Sequence, residues 1–412
     1  MVTAVRRDWR GAVELDVTQS GGDTCRALAY PALTGRPEPG DRVLLNTTAL
    51  AQGLGTGGYA FVVAVPDRLP PDPAPGGHMI KARYTPLQAT VLGVDEQDSP
   101  HHEVLRDADD LGGMPVVVAD LHSALPAILA GARAGLAGTA GDGTAGDGTA
   151  GDGTARDSAT VDGAARDGLS ADGLGAGGLG ADAAAGPSAP RAVYVMQDGG
   201  ALPAWFSRSC AGLREAGWLA GTVTTGQSMG GDLEAVTLHT GLLAARHVLG
   251  ADLAVVTQGP GNLGTGTRWG FSGVACGEAV NAASVLNGAP VASLRISDAD
   301  PRPRHRGISH HSLTAYGRVA LARADVVVPD LPGQLGTQVT GQAAALAGRH
   351  RLVRVKLDGL AGALRSSPVP LSTMGRGLDQ DLAYFLAAAA AGRHAAALLG
   401  PSSPRGLFSG GD

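Results

Sequence analysis

The chain has 412 residues, enough for two or three domains with a sizeable core. Its 38 acidic residues outnumber 32 basic ones, giving a net charge of −6. That balance argues against general electrostatic binding to nucleic acid or acidic membranes. No apolar run is long enough to span a bilayer, and the basic N-terminal stretch lacks the apolar region of a signal peptide. The three cysteines, Cys25, Cys210 and Cys276, are odd in number and far apart, which predicts free thiols and a cytoplasmic location. Lysine occurs only at Lys81 and Lys356 in a chain otherwise rich in arginine, alanine and glycine, so each lysine stands out against the bias.

Taken in order, residues 1–68 carry short β patterns at 11–17, 24–30, 42–46 and 59–65, separated by turn signals. They predict a small N-terminal β-barrel or sandwich, a candidate surface for a protein partner. Residues 69–77 form a proline-rich linker. Residues 78–134 begin an α/β domain, with strands at 90–94 and 115–119 and a helix at 122–133. Residues 135–190 repeat the pentad AGDGT and then stay rich in Gly, Ala, Asp and Ser, which predicts a disordered insertion. From 191 to 397, strands and helices alternate regularly, including a helix over 232–249 and a last helix over 378–397. The alternation predicts a doubly wound, mostly parallel, Rossmann-like sheet with helices on both faces. Residues 398–412 read as a disordered tail.

Helix-to-strand joins are short, whereas strand-to-helix joins are long and polar. In a parallel sheet the long joins gather at the carboxyl edge, where open α/β sheets bind ligands. The centre of that edge is the glycine-rich loop GPGNLGTGTRWGFSG after an apolar strand. Its Gly259, Gly261 and Gly264 fit the spacing of a dinucleotide fingerprint. The further glycines keep the loop irregular where that motif needs a helix, and no Gly-Lys-Ser/Thr is present. The remaining readings are a tight-packing loop and an anion nest. The nest would use the backbone at Gly259, Gly261, Gly264 and Gly266, with Asn262, Thr265 and Thr267 as donors and Arg268 as countercharge. Asp198, Gly199, Gly200, Gly230, Gly231, Asp232 and Lys81 are further candidates for ligand contact.

For proton transfer the candidates are His310 and His311, placed at a helix start capped by Ser309 or Ser312, where the helix dipole favours the neutral ring. Asp298 and Asp300 are near enough in sequence to orient one ring. Both histidines read equally well as polar cap residues. His101, His102, Asp120 and His122 offer metal ligands without a spacing that ties them together. The sequence names no cofactor.

The motifs RALAYP, GDRVLLNTTA, LGTGGY, RYTPLQ, DSPHHE, GGDLEAV, GTGTRWGFSGV and HRGISHHSLTA resemble a bacterial family of unknown function, catalogued as number thirty-eight sixty-six. The resemblance spans nearly the whole chain outside the repeat tract and tail, and implies no activity. The chain is therefore expected to bind a small anionic ligand, phosphate or carboxylate, at the carboxyl edge. Whether it is an enzyme stays open. The alternatives are a ligand-sensing or interaction protein and a metal-dependent hydrolase built on the Asp/His cluster.

Overall fold

The computed structural model describes residues 1–55, 57–71, 76–141 and 189–399, the side chains of 137–141 excepted. Most of the repeat tract, the middle of the proline-rich linker and nearly all of the expected tail lie outside the described residues.

The N-terminal part is one mixed five-stranded sheet of β1 (Val2–Trp9), β2 (Ala12–Thr18), β3 (Thr24–Ala29), β4 (Leu44–Asn46) and β5 (Ala60–Ala64). Its order is β1-β2-β3-β5-β4, with β3 and β5 parallel and the other neighbours antiparallel. Two short helices, α1 (Pro31–Thr34) and α2 (Thr48–Ala51), fill the connections. Period-two alternation along β2 sends Val13, Leu15 and Val17 into the sheet's own small core. Ala12 faces the other way, toward a cluster completed by Trp205 and Phe206 of the α/β domain. The Trp9 indole donates to Trp205 O at 2.7 Å, and Arg10 pairs with Asp232, so the sheet is docked on the larger domain.

A ribbon of β6 (Met79–Lys81) and β7 (Ala89–Val91) follows, then α3 (His102–Leu105). The sheet of the large domain has eight strands, all parallel. They are β8 (Pro115–Val118), β9 (Ala192–Gln197), β10 (Gly221–Thr225), β11 (Leu233–Ala235), β12 (Leu253–Gln258), β13 (Ala289–Ser293), β16 (Asp325–Pro329) and β17 (Arg351–Val355), with a hairpin of β14 (Ile296–Ser297) and β15 (Gly307–Ile308) after β13. Their order is β11-β10-β9-β12-β8-β13-β16-β17. From β9 to β11 the chain runs outward one way; it then returns to the middle with β12 and runs outward the other way. The strands flanking that reversal, β12, β8 and β13, are lined by Val116, Val117, Val118, Val255, Val256 and Val291, all fully buried. Such continuous apolar runs are expected of strands covered on both faces.

The helices are α4 (Leu125–Gly141), α5 (Arg208–Glu215), α6 (Leu238–His247), α7 (Ala275–Val285), α8 (His310–Thr314), α9 (Gly333–Ala343), α10 (Leu360–Arg365) and α11 (Leu382–Ala397). A final ribbon pairs β18 (Ser372–Thr373) with β19 (Arg376–Gly377). α4 and α11 pack through small residues. A Cβ at Gly131 would lie 1.8 Å from Ala389 O, and one at Gly392 would lie 1.9 Å from Ile128 O. Only glycine permits that approach.

Three local expectations change. Residues 232–249 are not one helix: Leu233–Ala235 form the edge strand β11, and Thr237 then caps α6 by accepting from Thr240 N–H. α4 runs well past residue 133, because its alanine-rich continuation favours helix and Gly135 packs on Ala396. β1 is a further strand without an apolar strand pattern, because it is a charged edge strand, mostly exposed.

Candidate functional site

The site lies beyond the carboxyl ends of β8, β12 and β13, and its hub is Asp120. The Asp120 carboxylate accepts from Arg295 Nη1 at 3.1 Å, from His311 Nδ1 at 3.0 Å and from Asn262 Nδ2 at 3.1 Å. Arg295 Nη1 and His311 Nδ1 are 3.4 Å apart, but both donate to Asp120, so that distance is a contact between two donors. Burial alone would raise the Asp120 carboxyl; the His311 and Arg295 interactions outweigh it and hold the group below the usual carboxylate range. The hub thus joins three separate strand ends, with His311 reached across 191 positions of sequence.

Local folding explains how the histidines arrive. After β13 the chain turns into the antiparallel β14–β15 hairpin, with Ile296 opposite Ile308. Gly307, at φ +68°, closes it tightly against Gln338 and Gln342. Ser309 N–H donates to Arg295 O, which extends the hairpin, and Ser309 Oγ then caps α8 by accepting from His311 N–H. His305, from the hairpin loop, folds back so that its Nδ1 bonds Ser309 Oγ at 2.7 Å. Phe271 closes one side, its ring stacked on His311 at 3.8 Å with planes 6° apart.

The rings of His305 and His310 are held neutral. Burial first, and then Arg295 and Arg302, push His305 down to about 3. Burial, then His311 and Arg304, push His310 down to about 4. The cause is therefore burial and neighbouring cations rather than the helix end invoked from the sequence; α8 is only five residues long. Among the described residues, His310 Nε2 is buried without a hydrogen-bond partner.

Around this centre the charges are tightly compensated. Asp300 is fully buried and binds Arg302 through Nε at 2.9 Å and Nη2 at 2.8 Å, with Arg295 and Arg376 at 3.7 and 3.6 Å. Despite burial, Arg302 holds its carboxyl well below the usual range. Arg376 also binds Asp381, which accepts from Ser297 Oγ. Asp298 is exposed and forms no bond to either histidine, so the carboxylate that orients His311 is Asp120. Arg268 and Arg304 are exposed and have no ion pair among the described residues, whereas Arg306, equally exposed, donates to Asp300 O. Arg304 reaches toward Gly266 of the glycine-rich loop.

That loop is closed on itself. Thr265 N–H donates to Gly270 O, Gly270 N–H donates to Thr267 Oγ1, and the two threonine hydroxyls are 3.2 Å apart. Gly261 and Gly266 take positive φ, +126° and +81°. Gly259 is buried, its absent side chain leaving room for Met196 and Leu202, while Gly264 bridges Phe271. Ser272 Oγ donates to Asn262 Oδ1, tying the loop to the hub.

The other candidates sit apart from the hub. Asp198 accepts from the N–H groups of Gly200, Ala201 and Gln227, an arrangement that shapes the turn, with Gly199 packed on Gln258. Gly230 packs on Trp205, Gly231 on Thr224, and Asp232 ties Thr222 and Arg214 to Arg10. Lys81 is fully buried, donating to Gly226 O and to Ser228 O at 2.8 Å and pairing with Glu234 at 3.2 Å. His101 and His102 open α3, where His102 Nδ1 bonds Asp95 O. His122 uses both ring nitrogens, on Tyr194 OH at 2.9 Å and Ser207 Oγ at 2.6 Å. Among the described residues, the histidine or carboxylate ligand atoms that cluster closely are those of His305, His310 and His311.

The family profile described as "Protein of unknown function (DUF3866)" matches residues 26–140 and 180–392. The chain belongs to that family. No curated protein and no solved structure matches it. Both blocks of the DUF3866 match contribute to the site: Asp120 comes from the first, and Asn262, Phe271, Arg295 and the histidines come from the second. β1 and β2 precede the match, and it skips much of the repeat tract. Among the described residues no helix is long and apolar enough to cross a membrane.

Proposed function

We propose that this DUF3866 chain binds a small phosphate- or carboxylate-bearing ligand at the carboxyl edge and acts on it as an enzyme. The observation that carries the reading is the Asp120 hub, which draws the glycine-rich loop and the histidine segment into one site. Arg304 reaches toward Gly266 in the loop that also carries Arg268, and a ligand anion held at that loop would be paired by these two exposed charges. Beneath them His311, oriented by Asp120, and the neutral ring of His310 are groups suited to moving a proton. The three free cysteines accord with action in a reducing cytoplasm.

The test is thermal unfolding of the full chain with inorganic phosphate, sugar phosphates, nucleotides and small carboxylates, each run with chelator and with added zinc. A ligand of the native state raises Tm with concentration. The expected result is a shift that Arg268→Ala and Arg304→Ala each diminish. Absence of any shift across the panel overturns the reading. A shift indifferent to both arginines overturns the assigned place.

A further inference from the structure

His305, His310 and His311 converge closely. One ring nitrogen from each lies within 4.8 Å of the others, and the ring centroids are 5.1, 5.0 and 4.5 Å apart. The planes are inclined by 44°, 87° and 70°, so no two of these rings stack on one another. His305 and His311 are each gripped at Nδ1, by Ser309 Oγ and by the Asp120 carboxylate. Their second nitrogens form no hydrogen bond among the described residues. His310 Nε2 is buried and has no hydrogen-bond partner among the described residues.

An unpartnered imidazole nitrogen in a buried site is costly, and here it sits beside two other rings with a nitrogen to spare. A divalent cation would satisfy all three. Metal-bound histidines are regularly held by a hydrogen bond from the other ring nitrogen to a carboxylate or another acceptor, and both grips here have that form. We propose that His305, His310 and His311 form a binding site for a divalent transition metal of the zinc class, with one coordination position open. Three imidazole ligands suit zinc, copper, iron or nickel rather than magnesium or calcium. The nearest cationic side chains do not forbid the ion, since Arg295 is compensated by Asp120 and Arg302 by Asp300. Arg304 remains exposed, placed to meet an anion on the open position. With the ion bound, His310 is a ligand, and proton transfer at the site would fall to metal-bound water. The metal site stands without the anionic ligand, and each has its own readout.

The experiment is calorimetric titration of zinc, and optical titration of cobalt(II), into the tag-free full chain after chelator treatment. One equivalent is expected to bind, with cobalt giving the visible absorption of a low-coordinate nitrogen site. His310→Ala should abolish that binding; its ring nitrogen has no protein partner, so the variant is expected to fold and thermal unfolding will verify it. Ser309→Ala should weaken binding by about 10–100-fold, as loss of a supporting group does. His122→Gln, at a ring that bonds Tyr194 and Ser207 and none of the trio, should bind as the unaltered chain does. No stoichiometric binding to the unaltered chain, or full affinity in His310→Ala, overturns the proposal.

Discussion

Gly273 stands where any side chain would occupy the space of the Asp120 carboxylate: a Cβ there would lie 1.8 Å from Asp120 Oδ1. The hub therefore depends on a residue that makes no polar contact of its own with the histidines. Gly273→Ala should push Asp120 away from Arg295 and His311, loosening a buried ion pair whose disruption costs about 3–5 kcal/mol. Denaturant unfolding would measure it. A Gly273→Ala protein as stable as the unaltered chain would show that Asp120 can move freely.

Asp120 and Arg295 should behave as a coupled pair. Asp120→Leu leaves a buried guanidinium short of its nearest carboxylate and should cost about 3–5 kcal/mol, whereas Asp120→Leu combined with Arg295→Met should recover much of that loss. A double-mutant cycle on unfolding free energy is the measurement, and strict additivity would count against the pairing.

The sequence made the sheet legible because its central strands are apolar runs bounded by glycine and polar turns, and those signals do not depend on distant partners. Residues 233–235 were not legible as strand. Three residues flanked by Gly231 and the cap at Thr237 carry too little periodicity, and their strand state comes from pairing with β10. At the site, His310 and His311 stood out because they are adjacent and polar. Asp120 was visible only as a loose metal candidate, since its partners arrive from other strands. Arg295 was passed over because it follows Val291-Ala-Ser-Leu and reads as the end of a strand. An arginine closing an otherwise apolar run at the carboxyl edge was the signal available.

Lys81 and Glu234 form a second buried pair, distant in role from the hub. Burial raises the Glu234 carboxyl even with Lys81, Thr224 and Gly230 bound to it. Lys81→Met should destabilise the fold near neutral pH while leaving cobalt binding unchanged. The carboxyl left behind is raised further, so the loss relative to the unaltered chain should shrink as pH falls and that carboxyl takes up a proton. A loss independent of pH would contradict the pairing.

His122 sets a pH dependence of known sign. Burial pushes its ring down to about 4, below the ordinary 6.5. Between those values the unfolded chain takes up a proton that the folded chain refuses. Stability contributed by the neutral ring is thus present above about pH 6.5 and drains away as pH falls toward 4, at about 1.4 kcal/mol per unit. His122→Gln should start lower, through lost bonds to Tyr194 and Ser207, and then fall less steeply on acidification. Parallel curves for the two proteins would refute the assignment.

The glycine-mediated contact between α4 and α11 bears on synthesis as well as on packing. α4 follows β8 early in the chain, but its partner lies some 250 residues later (Gly131 against Ala389). Asp381, at the head of α11, also anchors Ser297 and Arg376 beside the histidine hairpin. While the ribosome is still making the second half, α4 must wait with its small-residue face uncovered. The site becomes complete only when the last described helix has emerged, so a nascent chain halted before residue 381 would carry His305, His310 and His311 and still lack the scaffold that gathers them.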